Sequence, residues 1–156
     1  MMLQLAMLTL AANLAPCAAG VSPRTMAAVV SVESSGWPLT IHDNTAGGSY
    51  TFRSRRTAVT TATTLLAQGH NIDLGLAQIN SSNLAALGLT PAQVLDSCTN
   101  LRAGATILKR SYAAAAQRFG AGQIALRHAL SAYNSGSLFG APQYVSRVVN
   151  AAGFGS

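Results

Sequence analysis

The chain of 156 residues contains a single glutamate, Glu33, which follows an apolar stretch and precedes Trp37. Burial among apolar neighbours disfavours the ionised form of a carboxyl group, so its pKa rises and it can donate a proton near neutral pH. A carboxyl group of this kind is the general acid of enzymes that cleave glycosidic bonds. Glu33 is therefore the first candidate for catalysis, although a surface glutamate near a helix end would give the same local pattern.

Two later runs combine glycine with amide and phenol side chains. The first is Gly75-Leu-Ala-Gln-Ile-Asn80, and the second is Ala132-Tyr-Asn-Ser-Gly136, which Tyr144 follows. Taken singly, each run is also typical of an ordinary helix start or helix end with a core tyrosine. Their order along the chain, after Glu33, is more informative than either run alone.

The elements that must position these runs are predicted to be mostly helical. Ser22-Pro23 is typical of a helix start, and Gly36 followed by Pro38 predicts its end, which places Glu33 in the last turn. The C-terminal end of a helix disfavours negative charge, so this position also raises the pKa of a carboxyl group.

Residues 39–52 predict a short β-hairpin, because strand-like runs flank a turn-rich segment. Apolar periodicity and capping signals predict the remaining elements as helices, which are residues 57–68, a short helix that begins at the capping box Thr90-Pro-Ala-Gln93, and residues 101–119, 123–133 and 142–152. We expect a mainly α fold with a small β-hairpin element, and one domain over residues 1–156.

Composition and charge limit the classes of protein. Apolar residues make up 49% of the chain and charged residues 9%, but no apolar run has the length of a membrane span. Residues 1–19 predict either the first helix of the fold or a signal peptide, and the lack of Lys or Arg before the apolar run favours the helix. The net charge of +6 is spread over the chain without a stripe of basic and aromatic residues, so we expect no nucleic-acid partner.

Neither the histidines nor the cysteines have the spacing of metal ligands. His42, His70 and His128 are isolated, so we expect no metal and no cofactor. Cys17 and Cys98 are far apart and predict either one long-range disulfide in an oxidising compartment or two buried thiols. Spacing alone does not choose between the two.

The ordered motifs Glu-Ser, Gly-Leu-x-Gln-Ile-Asn, Ala-Tyr-Asn-x-Gly and Tyr resemble those of the lytic transglycosylases of the goose-type lysozyme superfamily. They are most similar to the transglycosylases of type IV secretion and conjugation systems, and residues 17–26, 69–80 and 98–108 extend the similarity over nearly the whole chain. The resemblance implies a lysozyme-like fold, peptidoglycan glycan strands as substrate, and components of a secretion or conjugation apparatus as partners. It also implies a periplasmic location and a disulfide between Cys17 and Cys98.

The resemblance implies a role for each matching residue. Glu33 is expected to be the catalytic acid, and Ser34 is expected to orient that acid or the N-acetyl group of the substrate. Ala77 stands where methionine is common in the family, which we expect to remove a contact surface for a sugar ring. The other residues expected to line the cleft or to contact the acid are Gly75, Gln78, Tyr133, Asn134 and Tyr144.

The expected reaction uses one acid. The three aspartates do not include an evident nucleophile, because Asp43 lies in a turn, Asp73 has the position of a capping residue, and Asp96 precedes the longest helix. A lytic transglycosylase needs none, since the 6-hydroxyl of the muramic sugar attacks its own C1 and leaves a 1,6-anhydromuramic end. The alternatives are a hydrolytic muramidase in which Asp43 positions a water molecule, and a non-catalytic wall-binding assembly factor.

Overall fold

The computed structural model describes Asn13 and residues 15–153. Residues 1–12, on which the choice between a first helix and a signal peptide depends, lie outside the described residues. That residues 1–156 form one domain stays a prediction. Within residues 15–153, no helix is both long enough and apolar enough to span a membrane.

Most of the described chain is helical. The α-helices are α1 (Pro23–Ser34), α2 (Arg55–Ala67), α3 (Leu84–Leu87), α4 (Pro91–Val94), α5 (Ser97–Phe119), α6 (Gln123–Ser135) and α7 (Pro142–Ala151). Two 3₁₀ turns cover Ala15–Ala18 and Ser81–Asn83. The predicted helices are confirmed with bounds that differ by a few residues, and the mainly α fold class is confirmed with them.

Local sequence signals explain where α1 begins and ends. Pro23 occupies the first turn, where its missing N–H is not needed, although the Ser22 side chain makes no capping hydrogen bond. Ser35 adopts the left-handed conformation (φ 53°) and ends the helix. Glu33 is therefore in the last turn, as predicted, while Met26 and Val29 on the other face enter the core.

A four-stranded antiparallel sheet lies beside the helices. Its strands are β1 (Thr40–Asp43), β2 (Gly48–Thr51), β3 (Ile72–Leu74) and β4 (Ile79–Asn80), in the spatial order β2-β1-β3-β4. The β1–β2 hairpin was predicted, but the β3–β4 hairpin was not. Strands of three and two residues are too short to show an alternating pattern in the sequence. Strand β3 forms because it pairs directly with β1, although helix α2 separates the two strands along the chain.

The long helix α5 forms the centre of the helical part. Asp96 caps its start by accepting a hydrogen bond from the Thr99 N–H at 2.9 Å. Small and apolar side chains on one face, among them Gly104 and Leu108, are buried, and the helix packs against α6. Helix α1 packs against α7, and its last residue, Ser34, donates a hydrogen bond to the Leu76 carbonyl between β3 and β4.

A disulfide joins Cys17 to Cys98, with their Cα atoms 5.1 Å apart. It ties the N-terminal 3₁₀ turn to the first turn of α5, and the Lys109 ammonium group adds a hydrogen bond to the Ala19 carbonyl at 3.0 Å. The pairing that the resemblance implied is confirmed, and the alternative of two free thiols is wrong.

We expect the double substitution Cys17→Ser/Cys98→Ser to lower the free energy of unfolding by about 3–5 kcal/mol, because the disulfide closes a long loop in the unfolded chain. The two residues are 81 positions apart. Chemical denaturation of both proteins measures the difference. Reductant should destabilise the parent protein and leave the double variant unchanged, and equal stabilities of the two oxidised proteins would contradict the prediction.

Candidate active site

Glu33 is the penultimate residue of α1, and its carboxyl group is largely buried. Burial raises its pKa to about 7. The nearby Tyr144 hydroxyl lowers the pKa, the negative charge of Asp73 raises it, and the positive charge of Arg147 lowers it, but burial outweighs these effects. The carboxyl group is thus protonated in a large fraction of molecules near neutral pH, as a general acid must be.

Tyr144 lies beneath Glu33 in α7 and is 3% exposed. Among the described residues its hydroxyl has no hydrogen-bond partner of normal geometry, although it is close enough to Glu33 to lower the pKa of the acid. The Arg147 guanidinium lies 6.0 Å from the centre of the Tyr144 ring. The expected proximity of Tyr144 to the acid is therefore observed, and burial beside Glu33 raises the pKa of the tyrosine.

Glu33 borders two cavities. The first, here called the polar cavity, has a volume of about 470 Å³ and is lined mainly by amide, hydroxyl and carboxylate side chains, which include Asn44, Asn71, Asp73, Gln78, Asn80, Ser82, Asn83, Tyr133, Asn134 and Ser135. The second, here called the tryptophan cavity, has a volume of about 390 Å³ and is lined by Glu33, Ser34, Ser35, Trp37, Thr40 and Thr51. Glu33 is the residue that the two linings share, so the candidate acid lies between the two cavities.

The turn Gly75–Gln78 between β3 and β4 holds the site together. Its Leu76 carbonyl accepts a hydrogen bond from the Ser34 hydroxyl at 2.8 Å, and its Ala77 carbonyl accepts one from the Tyr133 hydroxyl at 2.6 Å. These two bonds connect the turn to α1, next to Glu33, and to α6. Ser34 thus positions the acid through the backbone of the turn, and burial raises the pKa of Tyr133 well above its usual value.

Asn100 in α5 fixes the same turn and was not among the predicted site residues. Its amide accepts a hydrogen bond from the Ala77 N–H and donates to the carbonyls of Leu74 and Val94, each at 2.8 Å. A Cβ atom at Gly75, which has a φ of 79°, would lie 2.2 Å from the Asn100 amide nitrogen. Gly75 was expected to line the cleft, but the space beside it is occupied by the Asn100 side chain, and Gly75 lines neither cavity.

The expectation for Ala77 is wrong. Its side chain is completely buried, and a Cβ atom at Gly104 of α5 would come within 2.9 Å of the Ala77 methyl group. The side chain at position 77 therefore packs against α5 and does not face a sugar. Its small size lets the turn approach the long helix closely.

Gln78 and Asn134 both line the polar cavity, as the resemblance implied. The Gln78 backbone is left-handed (φ 48°), and its side-chain amide donates to the carbonyls of Gly75 and Thr40 at 2.9 and 3.2 Å. Its N–H donors are thus used within the protein, and its side-chain oxygen is the group that remains to accept a bond from a ligand. Asn134 is exposed at the end of α6.

Asp73 lies in β3 and lines the polar cavity, so the expected capping role is wrong. Its carboxylate accepts hydrogen bonds from the amides of Asn44 and Asn80 at 2.9 and 2.7 Å, and Asn71 exchanges hydrogen bonds with Asn80. Once β3 is known to be a strand, the alternation Ile72-Asp-Leu74 explains this placement, because successive side chains of a strand point to opposite faces. Ile72 and Leu74 are buried in the core, so Asp73 between them faces the polar cavity.

Asp43 does not face either cavity. It is 1% exposed, and its carboxylate accepts bonds from the N–H groups of Thr45 and Ala46 and contacts the His70 ring nitrogen at 2.7 Å. Burial raises the pKa of Asp43, but the hydrogen bonds from His70 and from Ala46 and Thr45 outweigh burial and hold it below its usual value. The expectation that Asp43 positions a water molecule in the cleft is therefore wrong.

Within residues 15–153, no group of three or more His, Cys, Asp and Glu side chains is arranged to hold a metal ion. Each histidine has a polar contact of its own, namely His42 with Ser49, His70 with Asp43, and His128 with the Leu138 carbonyl. The chemistry available at the site is therefore that of a carboxyl group with a raised pKa between two cavities.

Comparison with known proteins shows which family this chain resembles. Residues 11–143 match the family described as "Transglycosylase SLT domain". The chain is 43% identical over 138 residues to "Protein virB1" of Rhizobium radiobacter, covering 87% of this chain and 57% of that protein. It is 42% identical over 146 residues to "Type IV secretion system protein virB1" of Brucella suis biovar 1, covering 87% of this chain and 60% of that protein. The chain thus spans less than two thirds of these relatives, and no solved structure matches it significantly.

We expect Asn100→Ala to lower the free energy of unfolding by about 3–5 kcal/mol, because one N–H group and two carbonyl groups lose their buried partner. Chemical denaturation measures the change. Asn150→Ala, which truncates an exposed asparagine on α7, is the matched control and should alter stability by less than about 0.5 kcal/mol. Similar effects of the two substitutions would show that Asn100 does not hold the turn.

We expect Glu33→Gln to stabilise the protein at alkaline pH and not at acidic pH. A carboxyl group with a pKa raised from 4.5 to about 7 destabilises the folded state above pH 7, on the order of 3 kcal/mol, and has no such effect below pH 4.5. Thermal denaturation from pH 4 to pH 8 measures the difference between the two proteins.

The control for this pH dependence is Asp96→Asn. Hydrogen bonds from Thr99 lower the pKa of Asp96, so its ionised form stabilises the fold above about pH 4, and its loss should destabilise the protein there. A Glu33→Gln effect that is equal at pH 4 and pH 8 would refute the raised pKa.

Proposed function

Because the chain belongs to the SLT transglycosylase domain family, we propose that it is a peptidoglycan lytic transglycosylase in which Glu33 acts first as acid and then as base. One observation carries the proposal, namely that a largely buried carboxyl group with a pKa near 7 lies between two cavities. The substrate is the glycan strand of peptidoglycan, and the bond that breaks is the β-1,4 bond between N-acetylmuramic acid and N-acetylglucosamine.

In the first step, protonated Glu33 donates its proton to the glycosidic oxygen, and the bond from that oxygen to C1 of the muramic sugar breaks. The 2-acetamido group of the same sugar stabilises the positive charge that develops at C1. Glu33 is now a carboxylate and takes the proton of the 6-hydroxyl as that oxygen bonds to C1. No water is consumed, and one residue serves as acid and base, as microscopic reversibility allows.

We assign supporting roles to the residues around the acid. Ser34 and Tyr133 position Glu33 and the cleft through the turn Gly75–Gln78, which is supported by their hydrogen bonds to its carbonyls. The side-chain oxygen of Gln78 and the exposed amide of Asn134 bind the glycan in the polar cavity. Tyr144 donates a hydrogen bond to Glu33 when the acid becomes a carboxylate, because its buried hydroxyl needs a partner.

A hydrolytic muramidase is the second candidate, and Asp73 is the observation that favours it. Asp73 is a second carboxylate at the polar cavity and interacts electrostatically with Glu33, so a water molecule held there would attack C1. Both of its carboxylate oxygens already accept hydrogen bonds from asparagine amides, which favours a structural and binding role. A non-catalytic wall-binding factor has no use for a carboxyl group with a pKa near 7.

The relatives suggest where the activity is used. One is described as a type IV secretion system protein, so we propose that this chain opens the cell wall locally for the assembly of a secretion or conjugation apparatus. Components of that apparatus are the proposed partners. The disulfide supports a location in an oxidising compartment, and the periplasm is the one that holds peptidoglycan.

We expect digestion of purified peptidoglycan to release muropeptides with 1,6-anhydromuramic ends, and Glu33→Gln to reduce their yield at least a thousandfold by removing the acid. Mass spectrometry of the products measures this. Asp96→Asn, which removes a carboxylate outside both cavities, should leave the product pattern unchanged. Products that carry added water would instead identify a hydrolase and direct attention to Asp73.

The rate should also fall as pH rises above about 7, because Glu33 must be protonated to begin the reaction. Anhydro products in equal yield from the Glu33→Gln protein would refute the assignment of the acid.

A further inference from the structure

The tryptophan cavity contains an aromatic ring that lies open to solvent although it is large and apolar. Trp37 is 45% exposed. Of the large apolar side chains that are exposed in the described part of the chain, which are Trp37, Tyr50, Ile124 and Phe139, only Trp37 lines a cavity together with Glu33. A single exposed ring is ordinary, but a ring that lines a cavity together with the candidate acid is placed to contact a ligand there.

The Trp37 ring is held in place despite its exposure. Its indole N–H donates a hydrogen bond to the Phe52 carbonyl at 3.0 Å, and its backbone N–H donates to the Ser34 carbonyl at 3.0 Å. Pro38 follows and restricts the backbone of Trp37 to extended conformations. Because both ends of the residue are fixed, covering the ring costs little conformational entropy.

The remaining lining of the cavity carries hydroxyl groups. Ser34, Ser35, Thr40 and Thr51 line the cavity with Trp37, and Glu33 is the one ionisable side chain among these lining residues. A flat aromatic face bordered by hydroxyl groups complements a pyranose ring, which has apolar C–H groups on its faces and polar groups around its edge. Charged ligands and purely apolar ligands fit this lining less well.

We propose that Trp37 is the platform on which one sugar ring of the glycan stacks, directly beside the bond that Glu33 cleaves. Stacking there fixes the plane of the sugar and brings its glycosidic oxygen to the acid. Trp37 is a binding and positioning residue, and it takes no part in proton transfer. The identity of the ligand as a β-1,4-linked N-acetylated glycan rests on the proposed function.

The chain has one tryptophan, so its fluorescence reports on this cavity alone. The test titrates an N-acetylglucosamine hexamer with β-1,4 bonds into the Glu33→Gln protein, which cannot consume it. We expect a saturable change in tryptophan emission. Calorimetry should show that Trp37→Ala in the same background weakens binding about tenfold, and that Trp37→Phe, which keeps a ring, retains most of the affinity.

Tyr50→Ala is the matched control. Tyr50 is 43% exposed and precedes Thr51 in β2, so its side chain points to the sheet face opposite to the one that Thr51 presents to the cavity. Tyr50→Ala should leave the affinity for the hexamer unchanged.

Thermal denaturation of every variant checks that the fold is retained. In the active protein, Trp37→Ala should raise KM for soluble glycan strands more than it lowers kcat.

Two results would overturn the inference. In the first, the hexamer binds with unchanged emission, and Trp37→Ala binds it as tightly as the parent protein. In the second, the hexamer does not bind. If the wild-type protein still releases 1,6-anhydromuramic ends, only the role of Trp37 fails; if it releases none, the proposed function fails as well.

Discussion

The three hydrogen bonds of the buried Asn100 side chain are the constraint on which the rest of the site depends. They hold the turn Gly75–Gln78 against α5. Two carbonyl groups of this turn accept hydrogen bonds from Ser34 in α1 and Tyr133 in α6. Each partner lies in a different element, so the amide determines how the sheet meets the helices. An unpaired polar group at this depth would cost about 1–3 kcal/mol, so loss of any of these bonds would destabilise the turn.

Glu33 obtains its chemical character from this packing. It lies at the end of a helix whose last turn is fixed by the Ser34 bond, and within residues 15–153 the groups that bury it form no salt bridge with it. The three aspartates have other uses: Asp43 anchors a turn with His70, Asp96 caps α5, and Asp73 organises the asparagines of the polar cavity. The arrangement thus leaves one carboxyl group that can exchange a proton at neutral pH, and the proposed reaction needs only one.

The two cavities beside Glu33 differ in chemistry, and in the proposed reaction they lie on the two sides of the bond that breaks. Amide and carboxylate groups line the polar cavity, and they match the acetamido and hydroxyl groups of a glycan. An aromatic ring and hydroxyl groups line the tryptophan cavity, and they match the face of a sugar. The disulfide stabilises the support of both cavities from a distance, since it holds the N-terminal turn to α5, the helix that also carries Asn100.

The sequence by itself determined most of the helices to within a few residues of their ends, the β1–β2 hairpin and the candidate acid, because capping residues, glycines, prolines and a lone glutamate act over a few neighbouring positions. Tertiary structure alone decided the β3–β4 hairpin, the inward packing of Ala77 and the exchange of roles between Asp43 and Asp73. These features depend on contacts between distant positions, such as the bonds from Ser34 and Tyr133 to the turn, which span 42 and 56 residues. The pKa of Glu33 was also decided by the tertiary structure, since the burial that raises it depends on the packed molecule and not on the residues next to Glu33 in the sequence.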